Sequence, residues 1–349
     1  QQQQQQQQTT TTTTTVLACR LFPCVYPRPM ASLLVRLPAA GAGRGCCQLL
    51  ALAHRTRHSA GGATGSLPRH SVVGDIALLP PGADTSRAAE LLDPPVGSGL
   101  PRGRIRVVAA RSTPCAGQLR VPGLEVVAGE RRLETTHIES GVHLRLDLGT
   151  CFFNPRLQAE RQRVCALVSR GERILVLYSG TGVWPVVLAA RTSCREAVGV
   201  EMNPSAHTFA VENVQANKVS AAVKLHRADA SDLPALQLGQ FDRIVAPRPK
   251  GDGVENDSET LGVLADSLLA GGVVHLYGFG FVRAGEAASL EEVLAGDPGE
   301  DLSRLLALAS GPSPAFTFLR AARCPRSPIG RAGGRGLYRV AVDLRRKEW

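Results

Sequence analysis

Ile174-Leu175-Val176-Leu177-Tyr178-Ser179-Gly180-Thr181-Gly182 is the stretch on which the reading of this 349-residue chain turns. Four consecutive apolar residues bounded by a turn signal read as a buried strand. The glycines that follow let the backbone approach a ligand closely, and a helix from about Val183 to Arg191 would offer its free N–H groups to a carboxylate. Outward from this stretch the pattern repeats. Pro155 to Ser169 reads as a helix, with Pro155 suited to its first turn. Downstream come a strand Ala197 to Glu201, a helix Pro204 to Asn217, and strands Val223 to His226, Arg243 to Ala246 and Val273 to Tyr277, with a helix of about Glu259 to Leu269 before the last. Such alternation predicts an α/β fold, a parallel sheet covered by helices on both faces, with ligands beyond the carboxyl ends of its strands.

Two further strand ends sharpen the expectation. Glu201 closes the second strand about twenty residues after the glycine loop, where an acid can accept both hydroxyls of a ribose. Ala228-Asp229-Ala230 closes the third, where an acid meets an adenine amino group. Either acid alone could be a helix cap or a solvated strand end; three successive strand ends with the expected group point to adenosine. A dinucleotide would want a third glycine, and Pro185 stands at that place with no phosphate-binding cluster nearby. S-adenosylmethionine, with a carboxylate and no phosphates, fits better. The expected cofactor contacts are Tyr178, Gly180, Gly182, Glu201, Met202, Asp229 and Ala230.

The first 74 residues have another texture. A Gln run (1–8) and a Thr run (9–15) cannot bury apolar area. Seven arginines and no acid precede Asp75, so the net charge of +10 falls to 33 basic against 30 acidic residues over 75–349. The folded part is mildly basic, and charge alone says little about an RNA partner. Met30-Ala31-Ser32 is a candidate start for an Arg-, Ser- and Ala-rich segment that reads either as an organelle transit peptide or as an unstructured leader. From Ser71, short β-like runs (Val72 to Leu79, Ile105 to Ala110, Leu124 to Val127, His143 to Leu148) suggest a small β-rich domain. No apolar run approaches the roughly 18–20 residues of a membrane span. The nine cysteines show no CxxC spacing, which favours structural thiols in a reduced compartment, and no metal is required by the motifs.

Four blocks carry a family resemblance: Val73-Gly74-Asp75-Ile76-Ala77; Glu134-Thr135-Thr136-His137-Ile138-Glu139-Ser140-Gly141; Phe152-Phe153-Asn154-Pro155-Arg156-Leu157-Gln158-Ala159-Glu160-Arg161; and Gly271-Gly272-Val273-Val274-His275. In order and spacing they resemble the archaeal and eukaryotic tRNA guanine-37 N1-methyltransferase family, from about Pro68 onward. The resemblance implies a doubly wound, Rossmann-like class I methyltransferase sheet (151–349) preceded by a small β-rich (α+β) domain (68–150) and a leader (1–67). It further implies methyl transfer from S-adenosylmethionine to N1 of guanine 37 of tRNA by a monomer without membrane attachment, in the cytoplasm or nucleus, with mitochondrial import an option.

Guanine N1 is a poor nucleophile until its proton leaves, so a carboxylate must take the proton while a cation steadies charge on O6. By resemblance Glu160 is the base, Arg156 the cation, and Arg161 lies by the cofactor; as residues four apart, Arg156 and Glu160 are expected on one helical face, where an ordinary ion pair is the plainer alternative. Implied substrate contacts are Phe152, Asn154, Arg145, Pro249 and Lys250. Three positions depart from the family: Pro247 replaces an Asn and offers no side-chain amide, which weakens guanine selectivity; Val176 stands where an acid is usual; Phe152 stands for Tyr. Two other readings compete, the related wybutosine-pathway aminocarboxypropyl transferase and a catalytically silent tRNA-binding homologue. Gly280 to Ser310 reads as a helical extension, and Arg320, Arg323, Arg326, Arg331 and Arg335 as phosphate contacts or a solvated segment before a closing strand Leu337 to Leu344.

Overall fold

The strand that begins the decisive stretch is the pivot of a nine-stranded sheet. A computed structural model describes residues 66–248, 263–282, 286–287, 289–310, 315–324, 330–332 and 335–348. The leader expected over 1–67 lies outside them except for its last two residues, and residues 64–349 form one compact unit.

Strands β1 (Ser71–Val73), β2 (Ile76–Leu79), β3 (Val107–Ala116) and β4 (Val121–Gly129) make a four-stranded sheet in that order, and β5 (Glu134–Glu139) with β6 (Val142–Asp147) makes a hairpin. The run Val72 to Leu79 is thus two strands, broken by a turn at Gly74-Asp75, and β5 is a strand that the sequence patterning did not mark. The large sheet holds β7 (Arg173–Leu177), β8 (Glu196–Glu201), β9 (Val223–Arg227), β10 (Phe241–Ala246), β11 (Leu268–Gly280), β12 (Glu286–Ala287), β13 (Phe316–Arg323), β14 (Gly330–Ala332) and β15 (Arg335–Arg346). Its order is β12-β13-β15-β11-β10-β7-β8-β9, with β14 paired to β15. Strands β7 to β11 run parallel, and β15 lies antiparallel between β11 and β13.

From β7 the chain winds outward through helix α2 (Val183–Arg191), β8 and helix α3 (Pro204–Ala216) to β9, then returns to place β10 on the other side of β7. That reversal opens a crevice past the carboxyl ends of β7 and β10, the place where doubly wound sheets bind ligands. Alternation along the strands divides the core between the two faces. Ile174, Val176, Val245 and Tyr277 pack with α2 and with helix α1 (Gln158–Leu167) on one face. Leu175, Leu177, Ile244, Val274 and Leu276 pack with Leu302 and Leu305 on the other. Val176, where an acid would be usual, is fully buried in the first of these clusters.

Some boundaries moved. The helix expected over Pro155 to Ser169 is a 3-10 turn, Pro155–Leu157, followed by α1. Of the helix expected over 259 to 269, the part among the described residues is helical at 263–266, and β11 already starts at Leu268. The expected helical extension contains two helices, Leu290–Ala295 and Glu300–Leu306, and the short strand β12. Strand β13 was not foreseen, and it changes the standing of the arginine-rich segment. Arg323 donates to the Val282 carbonyl and stacks on Tyr338, Arg335 stacks on Phe281, and Arg320 reaches Asp343. These three are engaged within the fold; Arg326 lies outside the described residues and Arg331 has no described side chain.

Gly182 caps α2 at φ +77°, and a Cβ there would come within 3.0 Å of the Ala210 Cβ and 3.1 Å of its Cα on α3. Gly182→Ala therefore combines a left-handed backbone with a clash between two helices. It is expected to lower stability by about 1–3 kcal/mol in urea denaturation; an unchanged midpoint would show that α2 and α3 can separate freely.

Candidate active site

Three strand ends build one side of the crevice. After β7, Tyr178 takes φ +53° and Gly180 φ +58°, so the chain turns sharply before α2. At the end of β8 the half-buried Glu201 accepts the Gly180 N–H and the Asn203 N–H, each at 2.7 Å. Burial pushes the Glu201 carboxyl up; its backbone hydrogen bonds oppose this, and Asp229 reinforces it. Asp229, after β9, caps a 3-10 turn by accepting from the N–H and hydroxyl of Ser231, and Ala230 beside it is buried. Met202 is half-buried next to Glu201. The loop residues Ser179 and Thr181 keep buried hydroxyls with no hydrogen-bond partner among the described residues. Asn203, which the motif reading missed, caps α3 and donates to the Thr150 carbonyl, tying the segment before Phe152 to the end of β8.

That segment forms the other side. Phe152 is 41% exposed, and its carbonyl lies 3.9 Å from where a Cβ on Gly180 would stand, so the aromatic block lies over the glycine loop. The Asn154 side chain accepts the Arg156 N–H and starts the 3-10 turn. One turn on, Glu160 is 7% exposed, although carboxylates are rarely buried without partners. Its partner is not Arg156. Arg163 grips it with two hydrogen bonds of 2.6 and 2.9 Å, and the Tyr277 hydroxyl donates to it at 2.9 Å. The break between the 3-10 turn and α1 is the reason: Arg156 stays exposed, and no ion pair joins it to any described residue. The ordinary i,i+4 ion pair, the plainer alternative for these two residues, is therefore absent among the described residues. A carboxylate has about four lone-pair sites; Arg163 and Tyr277 fill three, and the buried Cys324 thiol, which burial pushes up together with the Glu160 charge, faces the same carboxylate.

Behind Glu160 runs a buried chain of charges. Arg163 also bonds Asp343 at 2.8 Å, Asp343 bonds His275 Nδ1 at 2.7 Å, and Arg243 bonds His275 Nε2 at 2.8 Å while pairing with Glu172. An arginine can only donate, so Nε2 is the acceptor and the ring proton sits on Nδ1, facing Asp343. Burial pushes His275 down and keeps it neutral, with Asp343 opposing. For Asp343, burial acts upward, but His275 and the Arg163 guanidinium outweigh it and hold the carboxyl well below the usual range. Burial, with the Glu160 charge, pushes the Tyr277 hydroxyl well up, so it remains a donor. A carboxyl depressed in the folded state adds stability above its unfolded value of about 3.9 and loses it as pH falls through the folded value. The stability gap between the native chain and Asp343→Asn should thus be full at pH 6 and shrink below about pH 4; melts showing a constant gap would remove Asp343 from the ion network.

Arg161, expected beside the cofactor, has its guanidinium engaged within the protein. It is 1% exposed, bonds both oxygens of Glu139 on β5 at 2.5 Å, and sits over the rings of Phe153 and Trp184. Its described contacts tie the β5–β6 hairpin to α1, so the guanidinium is already occupied. Arg145 is likewise held on the hairpin by Glu134 and Glu212 and is not brought to the crevice with Glu160. Pro249 and Lys250 lie outside the described residues, and Pro247 is half-buried just past β10. Arg163, Tyr277, His275 and Asp343 were all missed as site residues; only the third of an Arg-x-Arg pair after Glu160 and the quoted Gly271–His275 block hinted at them. Tyr277 links the two sides, its ring centroid 6.1 Å from that of Trp184 in the first turn of α2.

Among known proteins, residues 135–294 match the family described as the TRM5/TYW2 methyltransferase domain. The chain is 31% identical over 176 residues to the tRNA (guanine(37)-N(1))-methyltransferase Trm5b of Pyrococcus abyssi, covering 50% of each. It is 31% identical over 126 residues to tRNA (guanine(37)-N(1))-methyltransferase 1 of Vitis vinifera, covering 36% of this chain and 20% of that one. The crystal structure of wild-type Trm5b from Pyrococcus abyssi superposes with a TM-score of 0.59 at 25% identity, over 81% of this chain and 76% of that one. The chain thus spans half the length of the archaeal relative and a fifth of the plant one. The class I methyltransferase fold expected from the resemblance is the fold observed.

Proposed function

We propose that this chain, whose residues 135–294 belong to the TRM5/TYW2 methyltransferase domain family, transfers a methyl group from S-adenosylmethionine to N1 of guanine 37 of tRNA. The observation that carries the reading is Glu160, a buried carboxylate held by Arg163 and Tyr277 at the edge of the crevice that also holds the glycine loop.

The residues fit the cofactor. Gly180 leaves open space on the side facing Phe152, which any Cβ would begin to fill. Glu201 and Asp229 offer carboxylate oxygens at adjacent strand ends, suited to hydroxyl and amino groups and hostile to phosphate. Glu201, Met202, Asp229 and Ala230 would hold the adenosine, and the Tyr178–Gly182 loop the amino acid end. When bound, the sulfonium supplies an electrophilic methyl. Glu160 takes the N1 proton, Arg163 and Tyr277 keep its carboxylate aimed, and the exposed Arg156 steadies the charge that grows on O6. Phe152 offers a ring for the base to stack on, with Asn154, Pro249 and Lys250 as further contacts. Arg161 acts at one remove, by fixing α1, rather than by touching the cofactor.

The same reading assigns 68–150 to a β-rich domain and 151–349 to the catalytic one, working as a monomer in the cytoplasm or nucleus, with mitochondrial import through the acid-free leader as the variant. Among the described residues no helix is long and apolar enough to cross a membrane. The test is incubation of the full chain with methyl-labelled S-adenosylmethionine and unmodified tRNA bearing G or A at position 37, with mass analysis of the product nucleosides. A methyl increment on G37 alone is expected. An aminocarboxypropyl increment would make the chain a wybutosine-pathway transferase, and binding without any increment a silent homologue.

A further inference from the structure

Arg339 is a guanidinium buried at the lip of the crevice with almost nothing to bind. On β15 it pairs in register with Phe279, two residues beyond the Tyr277–Ala341 pair toward the carboxyl end of β11, and so lies on the same face of the sheet as Tyr277. It is 5% exposed. Its contacts among the described residues are one hydrogen bond from Nη2 to the Arg248 carbonyl at 2.8 Å and the face of the Phe279 ring at 5.1 Å. No carboxylate among the described residues forms an ion pair with it. Asp301, whose charge acts on Arg339 without an ion pair, bonds Arg248 and the Phe279 N–H instead. Burial pushes the Arg339 charge down, with the Cys324, Tyr277 and Asp301 groups opposing and Arg248 adding to it.

A cation taken out of water without an anion is costly, several kcal/mol even after relaxation. Its position suggests what would offset that cost. The Arg248 carbonyl that braces it follows Pro247, the residue that leaves this edge without a side-chain amide. A guanidinium presents a fixed fork that matches the O6 and N7 acceptors of guanine, and adenine offers an amino donor where O6 would be. We infer that Arg339 reads the O6/N7 edge of the target guanine while N1 faces Glu160, supplying the base selectivity that Pro247 cannot. The inference rests on the methyl-transfer reading in taking a guanine as the ligand of this crevice. It makes Arg339 a specificity-determining residue, distinct from Arg156, whose proposed work is on charge developing during transfer.

The test is equilibrium binding of anticodon stem-loop RNAs carrying G37, 7-deaza-G37 or A37, with S-adenosylhomocysteine present, to the native chain and to Arg339→Met and Arg339→Lys, with near-ultraviolet circular dichroism reporting the fold. The native chain is expected to prefer G37 over A37 by roughly 5- to 150-fold, with 7-deaza-G37 between them. Arg339→Met should erase the difference between G37 and 7-deaza-G37 and narrow the preference over A37 to what Glu160 reads at N1. Arg339→Lys keeps charge and stem without the fork, and serves if the Met variant does not fold; it should lose the dependence on N7. A folded variant that keeps the native order overturns the inference, as does a native chain with no preference for G37. Methyl transfer is scored separately. A native chain that prefers G37 yet transfers nothing defeats the proposed reaction and leaves Arg339 as the reader; transfer together with an unchanged order in the variants defeats only the role of Arg339.

Discussion

Glu160→Gln is expected to slow methyl transfer to G37 by a factor of roughly 10²–10⁴, the range that a positioned general base contributes, while S-adenosylmethionine binds as before. Glutamine keeps the size and can still accept from Tyr277, but it cannot take the N1 proton. Arg163 would not be stranded by the change, because Asp343 remains bonded to it at 2.8 Å. The fold should therefore survive, and a melt of the variant would check that it does. Single-turnover rates with saturating cofactor are the proper measurement, since they report the chemical step without product release. Equal rates for the two proteins would mean that Glu160 is buried for structural reasons and that another group receives the proton.

Glu139→Ala should bring the largest loss of stability. Glu139 and Arg161 have side chains that are 0% and 2% exposed, and they meet through two short hydrogen bonds. Truncating the acid leaves a guanidinium in the core with the Asn154 carbonyl as its remaining hydrogen-bond acceptor. Breaking one partner out of a buried pair costs about 3–5 kcal/mol, to which the rings of Phe153 and Trp184 offer only weak compensation. Urea denaturation with an unchanged slope measures it directly. A loss below about 1 kcal/mol, the scale of an exposed pair, would show that water reaches Arg161. The effect should extend to catalysis, because Arg161 adjoins Glu160 on α1 and anchors that helix to β5.

The recognition of the fold owed most to local features. Four apolar residues, a glycine loop and an apolar helix recur as β7, the Tyr178–Gly182 turn and α2, whose bounds Val183–Arg191 are those expected. Where expectation missed, the cause was tertiary. Strand β13 has an arginine-containing sequence, Phe316–Arg323, that no short-range pattern separates from a solvated segment; it becomes a strand because β15 offers it a ladder and Tyr338 and Asp343 engage its arginines. The 3-10 turn at Pro155–Leu157 likewise arises where the Asn154 side chain captures the Arg156 N–H.

Residue types and their spacing along the chain were enough to establish strand, loop and helix and the acids at successive strand ends, because backbone preference and apolar periodicity are properties of neighbours; Glu160 was singled out by the family resemblance. Which charges meet was decided by the folded chain alone. Glu160 is bonded to Arg163 three residues on and to Tyr277 117 residues on, and Arg163 to Asp343 180 residues on, while Arg156, four residues before Glu160, is left outside. A buried carboxylate takes whichever donors the packed sheet brings within about 3 Å, and distance along the chain does not enter that choice.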